Sequence, residues 1–139
     1  MTITVKIKDV MERTVPAAEA STTAFQAVEK MVKGGFWSLL VEKNGVPIGV
    51  VTDRDILKRV IAKGNDVKRV KLEEIMSSPV ITISPTDNMD RAMSLMVEKQ
   101  IRRLYVAESG KIVGRITQTS LFASTFDVMK SLSGLTQQF

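Results

Sequence analysis

The sequence contains no cysteine and no histidine. Without these residues the chain has no disulfide bond, no thiolate or imidazole metal ligand, and no Ser-His or Cys-His nucleophile. Carboxylates, lysines, one tyrosine and backbone groups are then the only means of catalysis that remain. We therefore expect a protein that is not an enzyme, holds no metal and requires no cofactor.

Long hydrophobic runs are also missing. The chain has no stretch of about eighteen apolar residues, which a transmembrane helix requires, and its first residues lack the apolar segment of a signal peptide. We expect a soluble, cytoplasmic protein without a membrane partner. Aromatic residues make up only 5% of the chain, and none interleaves with its small basic cluster at residues 68–71. A surface that stacks single-stranded bases is therefore not indicated.

The composition that remains is typical of an ordinary globular domain. Of the 139 residues, 44% are hydrophobic, which is enough for one buried core but not for two large ones. We therefore expect two half-domains that share an interface. The net charge of +5 suits an anionic ligand or a nucleic acid, and it equally suits a basic protein that binds neither.

One stretch of the chain occurs twice. Gly49 and Thr52 correspond to Gly114 and Thr117 at a shift of 65 positions. The shift holds without a gap along the chain and gives twelve identical pairs, where composition alone would give about five. The chain is therefore a tandem duplication. The pairs are Val5/Val70, Lys6/Lys71, Met11/Met76, Val15/Val80, Ala27/Ala92, Met31/Met96, Val32/Val97, Leu39/Leu104, Val41/Val106, Gly45/Gly110, Gly49/Gly114 and Thr52/Thr117.

Each repeat has the pattern strand, helix, strand, strand, helix, which predicts an α/β (α+β) fold. We place the first strand, or an extended lead-in segment, at residues 4–11. The first helix follows a cap at Thr22 or Thr23, and a hairpin spans residues 38–52. The expected divisions of the chain are repeat 1 (residues 1–65), repeat 2 (residues 66–126) and a helical or frayed tail (residues 127–139).

The helices carry more apolar surface than two small sheets can cover. In the first helix of each repeat, apolar residues recur at the spacing of one helical face. We expect a homodimer to form through these faces, with the second helix of each repeat beside them. They consist of Ala24, Ala27, Val28 and Met31 in repeat 1, and of Met89, Ala92, Met93 and Met96 in repeat 2.

The turn that follows the hairpin of repeat 1 carries the most distinctive chemistry. Thr52 is a residue type that caps helices, and the first N–H groups of a helix form a seat for an anion such as phosphate. One turn further on, Asp55 can accept hydrogen bonds from two neighbouring hydroxyls, so the turn suits a ribose phosphate. Two alternatives are that Thr52 and Asp55 only start the helix, and that Asp53 and Asp55 hold Mg²⁺.

These features together resemble the cystathionine-β-synthase (CBS) domain. They are the order of elements, the pairs Val10-Met11 and Ile75-Met76, the Gly-x-x-Thr-x-x-Asp turn at residues 49–55, and the segment Ile-Arg-Arg-Leu-Tyr-Val at residues 101–106. Two such domains in tandem resemble a Bateman module, over about residues 5–126. The resemblance implies that two small sheets pack together about a pseudo-twofold axis with helices outside. It also implies two clefts that bind adenosine-containing ligands.

The resemblance assigns the first cleft a full set of ligand groups. Asp55 would bind the ribose hydroxyls, Thr52 would bind phosphate, and two hydrophobic residues would line the base. Arg102 and Arg103 would lie near the phosphates, although as a solvated strand edge they would have no such role. The implied set is Thr52, Arg54, Asp55, Val80, Ile81, Arg102 and Arg103.

The second cleft departs from the family pattern. Ser120 stands where repeat 1 has Asp55, and Trp37-Ser38 stand where repeat 2 has two arginines. Trp37 is also a candidate for a core or dimer contact. We expect this cleft to be empty or to accept a less charged ligand. Its implied residues are Val15, Trp37, Ser38, Thr117 and Ser120.

The resemblance implies a regulatory module that binds an adenine nucleotide such as AMP, ADP or ATP. It would signal through its dimer geometry or through a regulated partner protein, by a shift between two arrangements of the repeats. The alternative function is nucleic-acid binding through the basic surface, which would show a steep dependence on salt.

Overall fold

The computed structural model describes residues 4–137, so residues 138 and 139 of the expected tail lie outside the described residues. The fold is mixed α+β, with two three-stranded sheets. In chain order, its elements are α1 (Ile7–Val10), β1 (Ala17–Glu19), α2 (Ala24–Gly34), β2 (Ser38–Lys43), β3 (Val46–Thr52), α3 (Asp53–Ile56) with a following π-helical turn (Leu57–Ile61), α4 (Leu72–Ile75), β4 (Thr82–Ile83), α5 (Met89–Lys99), β5 (Arg103–Glu108), β6 (Lys111–Thr117) and α6 (Gln118–Gln137).

The duplication seen in the sequence is present in the structure. A shift of 65 positions carries α1, α2, β2 and β3 onto α4, α5, β5 and β6 with the same bounds. The last helix of each repeat breaks the symmetry. In repeat 1 it is short and continues as a π-helical turn at Leu57–Ile61, whereas in repeat 2 α6 continues as a helix to Gln137.

The compact units of the fold are not the sequence repeats. One unit, which we call the first unit, is Val15–Ile81. The second unit combines the described parts of Met1–Thr14 and Thr82–Phe139. The leading segment of each repeat therefore packs in the unit that contains the sheet of the other repeat. The boundaries of the sequence repeats therefore differ from the boundaries of the two packed units.

The first unit has the strand order β1-β2-β3, with β1 parallel and β3 antiparallel to β2. The hairpin turns at Asn44 and Gly45, which both have positive φ, as a tight turn between twisted strands requires. Thr23 caps α2 through a capping box with Gln26, which confirms one of the two predicted caps. Gly35 ends α2 in the left-handed conformation.

The second unit repeats this arrangement, with the strand order β4-β5-β6. β4 is parallel to β5, and β6 is antiparallel to it. The hairpin turns at Ser109 and Gly110, again with positive φ. Leu104, Val106 and Ile116 are fully buried, as alternating positions on two paired strands allow.

Each unit also holds a segment that we call its arm: residues 71–77 in the first unit and residues 6–12 in the second. Each arm forms one helical turn and then a single antiparallel bridge to the last strand of the sheet, Val50 to Ser77 in one unit and Arg115 to Glu12 in the other. In the second unit this bridge is strengthened by an ion pair, because the Arg115 guanidinium lies 2.9 Å from Glu12 Oε2.

Two predictions about the elements were wrong. Residues 4–11 are not a strand, because Ile7 to Val10 close a single helical turn in which the Met11 N–H donates to the Ile7 carbonyl at 2.9 Å. The strand of each repeat lies further on, at β1 and β4. The short alternation of apolar residues at 3, 5 and 7 did not distinguish a strand from one helical turn.

The proposed dimer faces were also placed wrongly. Most of the residues predicted to meet a second copy are buried inside their own chain, because the regular apolar stripe of α2 and α5 is the stripe that covers the sheet. The buried members are Ala24, Ala27, Met31, Ala92 and Met96. The apolar side chains that these helices expose include Phe25, Val32, Met93 and Val97, and of these four Met93 alone belongs to the predicted faces.

Candidate functional site

The candidate site of the first unit is the turn from β3 into α3. The Asp55 carboxylate reaches back over this turn, where its Oδ2 accepts from the Thr52 N–H at 2.8 Å and from the Thr52 hydroxyl at 3.1 Å. In return, the Asp55 N–H donates to Thr52 Oγ1 at 3.3 Å. This reciprocal cap fixes the carboxylate at the start of the helix. Its other oxygen, Oδ1, takes part in none of these three bonds and lies 3.8 Å from Arg59 Nε.

The backbone N–H groups predicted to bind phosphate are already engaged. The Asp53 N–H donates to the Trp37 carbonyl at 3.0 Å, and the Arg54 N–H donates to Asp53 Oδ1 at 2.9 Å. With the Asp55 N–H bonded to Thr52, the first three donors of α3 all have partners within the chain. The sequence predicted unpaired N–H groups at the start of this helix, because a sequence pattern does not reveal acceptors such as the Trp37 carbonyl. The exposed Arg54 side chain is the cationic group that this turn still presents to solvent.

The corresponding turn of the second unit is closed in the same way but carries no charge. Ser120 Oγ accepts from the Thr117 N–H at 3.0 Å, and the Ser120 N–H donates to Thr117 Oγ1 at 3.0 Å. The Ser120 hydroxyl proton is donated to the Thr117 carbonyl at 2.8 Å. Ser120 therefore reproduces the capping role of Asp55 without a carboxylate.

Three residues assigned to the second cleft belong to the first unit. Val15 is half-buried just before β1. Trp37 is 48% exposed, and its carbonyl accepts from the start of α3. Ser38 is fully buried and pairs with Thr52 in the strand register, so its side chain is part of the interior.

The remaining residues of the first cleft are divided between the units. Val80 and Ile81 are half-buried at the end of the first unit. Arg102 and Arg103 belong to the second unit, where Arg102 is exposed and Arg103 is half-buried as the first residue of β5. The Arg102 carbonyl accepts from the Gln118 N–H at 2.9 Å, which matches the Trp37 contact of the other unit.

Arg59 was not predicted as part of this site. Its Nε lies 3.8 Å from Asp55 Oδ1, and its Nη1 donates to the carbonyls of Ile75 at 2.9 Å and Met76 at 3.3 Å. Arg59 therefore joins the turn to the arm of its unit. The signal that was available is the comparison of repeats, because Arg59 corresponds to Ser124 just as Asp55 corresponds to Ser120.

A magnesium site at Asp53 and Asp55 has little support in the geometry. Each carboxylate already has an oxygen that accepts backbone hydrogen bonds within the turn. Among residues 4–137, no three potential metal ligands come together. In the same part of the chain, no helix combines the length and apolar character needed to cross a membrane.

Comparison with known proteins identifies the family. Two tandem α+β copies with a capped turn after each hairpin define the class, and the family model for the CBS domain matches residues 7–62 and 72–125. The chain therefore belongs to the CBS-domain family. A Burkholderia ambifaria protein with CBS domains has a similar structure, with a TM-score of 0.82 and 30% identity over 88% of this chain and 93% of that one.

Other relatives extend the comparison. The CBS domain-containing protein YhcV of Bacillus subtilis is 29% identical over 94% of this chain and 92% of its own length. An uncharacterized protein of Methanopyrus kandleri is 34% identical over 84% of this chain, which spans only 61% of that relative. A hexameric CBS-CP12 protein from bloom-forming cyanobacteria has a TM-score of 0.78 and 28% identity, over 85% of this chain and 69% of that one.

Proposed function

We propose that this protein is a regulatory module that binds an adenine nucleotide, with Asp55 as the acceptor of the ribose hydroxyls. The observation that carries the proposal is the Asp55 carboxylate. It is held rigidly by the Thr52 cap, its side chain is 16% exposed, and one of its oxygens lies outside the cap. A carboxylate oxygen that lies outside the cap, on a partly exposed side chain, is suited to a charge-assisted bond with a sugar hydroxyl.

The phosphate groups of the nucleotide need cations. Because the N–H groups at the start of α3 have other partners, we assign this role to side chains: Arg54 on the turn, and Arg102 and Arg103 as the family resemblance implies. Val80 and Ile81 are assigned to the adenine base on the same basis. Membership of the CBS-domain family supports a binding role rather than an enzymatic one. Nucleic-acid binding has only the net charge of +5 in its favour.

Calorimetry with AMP, ADP, ATP and a short RNA tests this function. We expect saturable binding of a nucleotide, with about one high-affinity site per chain, because only one of the two turns carries a carboxylate. The heat released on each ATP injection should fall to zero once the site is saturated, because a binding module does not hydrolyse its ligand. Binding of RNA alone, with a steep dependence on salt, would overturn the proposal in favour of the alternative.

We also propose that the protein self-associates through α6. The large apolar residues that this helix exposes include Phe122 by 72%, Phe126 by 52% and Met129 by 61%. Their spacing places them on one face of the helix. A second copy is the occupant that we propose, because the structurally similar CBS-CP12 protein is described as hexameric.

Light scattering with Phe126→Lys tests this association. The wild-type chain should be a dimer or a larger assembly at micromolar concentration, and the variant should shift toward the monomer because a charge cannot be buried in an apolar contact without a partner. Ser131→Lys is the control, because Ser131 is exposed on another face of the same helix. A monomeric wild type, or equal effects of the two substitutions, would contradict the proposal.

A further inference from the structure

The first unit contains a groove that the proposed function does not use. It has a volume of about 460 Å³, within the range of small-molecule sites, and it is open to solvent. One wall is the end of the π-helical turn and the residues after it, and the other wall is α4. Its lining residues are Arg59, Lys63, Asn65, Val70, Glu74 and Ile75.

The free hydrogen-bonding groups of this groove are mainly donors. Among the described residues, neither the Lys63 ammonium group nor the Asn65 side-chain amide has a hydrogen-bond or ion-pair partner. Arg59 uses Nη1 for the arm, and its side chain is still 46% exposed. The one acidic group, Glu74, is engaged in capping α4, where Oε2 accepts from the Lys71 N–H at 2.6 Å.

The second repeat lacks this set of donors. A shift of 65 positions replaces Arg59 by Ser124, Lys63 by Val128 and Asn65 by Lys130, and Val128 is half-buried in α6. The cations at positions 59 and 63 are therefore absent from the second repeat, which has a lysine at the position of Asn65. The π-helical turn that precedes Lys63 is likewise present in repeat 1, whereas α6 passes through the corresponding positions as a regular α-helix. Such turns often occur at functional sites.

We infer that this groove is a second ligand site, which takes a small organic molecule bearing a phosphate or carboxylate group. Lys63, Asn65 and the free edge of Arg59 would bind the anionic group, because two cations and an amide face one carboxylate that is already in use. Val70 and Ile75 supply an apolar floor for the rest of the molecule. A volume of about 460 Å³ leaves room for more than a bare phosphate ion.

Arg59 connects this groove with the turn described above. The same guanidinium lines the groove, bonds the arm and lies 3.8 Å from Asp55 Oδ1. A substitution of Arg59 would therefore disturb all three at once, and Lys63 is the better residue to test. Lys58 provides a matched control, because it is an exposed lysine of the π-helical turn just before Lys63 and does not line the groove.

The test is an NMR titration of the full chain with inorganic phosphate at constant ionic strength. We expect saturable amide shifts at Lys63, Asn65 and Glu74. Lys63→Gln should weaken this binding by about threefold to tenfold, the cost of one partly exposed charge-assisted contact. Lys58→Gln removes the same charge from the π-helical turn that precedes Lys63 and should leave the affinity unchanged.

Three results would overturn the inference. The first is the absence of shifts at these residues at phosphate concentrations of tens of millimolar. The second is an equal loss of affinity in Lys63→Gln and Lys58→Gln, which would mean general attraction to a basic helix. The third is that a short RNA shifts this face while phosphate does not, with equal sensitivity to both substitutions. Amide shifts confined to Asp55 and its neighbours would likewise overturn the inference, because phosphate would then bind outside the groove.

Discussion

Gly49→Ala is expected to destabilise the protein by about 2–4 kcal/mol, the sum of an overpacked contact and weakened hydrogen bonds. A Cβ atom at Gly49 would lie 2.6 Å from Met76 Sδ and 2.8 Å from the Ser77 carbonyl oxygen. The methionine side chain can move, but the carbonyl belongs to the backbone of the arm. The arm would have to leave the sheet to make room for the methyl group.

The position of the arm depends on this close approach. The Val50 N–H donates to the Ser77 carbonyl at 2.9 Å, and the Ser77 N–H donates to the Val50 carbonyl at the same distance. Displacing the arm therefore weakens both bonds. The other unit makes the same contact, since a Cβ at Gly114 would lie 2.8 Å from Met11 Sδ and 2.9 Å from the Glu12 carbonyl oxygen. We expect Gly114→Ala to have a similar effect.

Urea unfolding of the variants checks this prediction. Gly134→Ala is the control, because a Cβ at Gly134 meets no atom within 4 Å and the residue lies within α6. That substitution should stabilise the helix by up to about 1 kcal/mol, since alanine has the higher helix propensity. If Gly49→Ala unfolds at the same urea concentration as the wild type, the arm is not held by this contact. Adding Met76→Ala should not restore the stability, because the Ser77 carbonyl remains in place.

Much of the fold could be predicted because its signals are local. The Asn44-Gly45 turn sets the hairpin of the first unit, and Thr23 and Gly35 mark the two ends of α2. Each of these depends on residues a few positions apart. The duplication could also be recognised, because both copies keep the glycine and threonine that start the last helix.

The exchange of arms could not be predicted, because an apolar pattern indicates which face is buried and not which sheet buries it. The two arms share Met11 and Met76 at the same position, so their sequences allow either of them to pack on either sheet. The contacts that decide the exchange join residues far apart in sequence. Glu12, for example, pairs with Arg115. A carboxylate in one arm and an arginine on the distant strand were the available signal.

The local structure of the candidate turn was predicted from the sequence, whereas the role of its residues in ligand binding stays a prediction. A Thr-x-x-Asp turn predicts a capped helix start, and the structure has that cap at Thr52 and Asp55. Whether the N–H groups of the helix were free depended on the Trp37 carbonyl, which comes from another part of the chain. The role of Arg59 depended on two backbone carbonyls of the arm. Neither contact has a sequence pattern.

Asp55→Ser is expected to weaken nucleotide binding by about tenfold to a hundredfold, because a charge-assisted hydrogen bond is worth roughly 1.5–3 kcal/mol. The substitution copies the turn of the other repeat. There Ser120 accepts from the Thr117 N–H at 3.0 Å and from the Thr117 hydroxyl at 3.2 Å, so a serine can close this turn without a carboxylate. The fold should therefore keep its stability, apart from the loss of the weak contact with Arg59.

This variant separates a ligand role of Asp55 from a capping role, which Asp55→Ala would not do. Isothermal titration with AMP should give a weaker site in Asp55→Ser and an unchanged site in Ser120→Ala. The loss should be about the same for AMP, ADP and ATP, because the ribose is common to them, whereas a lost phosphate contact would cost more as phosphates are added. Two equivalent sites per chain would contradict the proposal, because only one turn has the carboxylate. One site that survives Asp55→Ser and disappears in Ser120→Ala would also contradict it, because the ribose would then bind at the other turn.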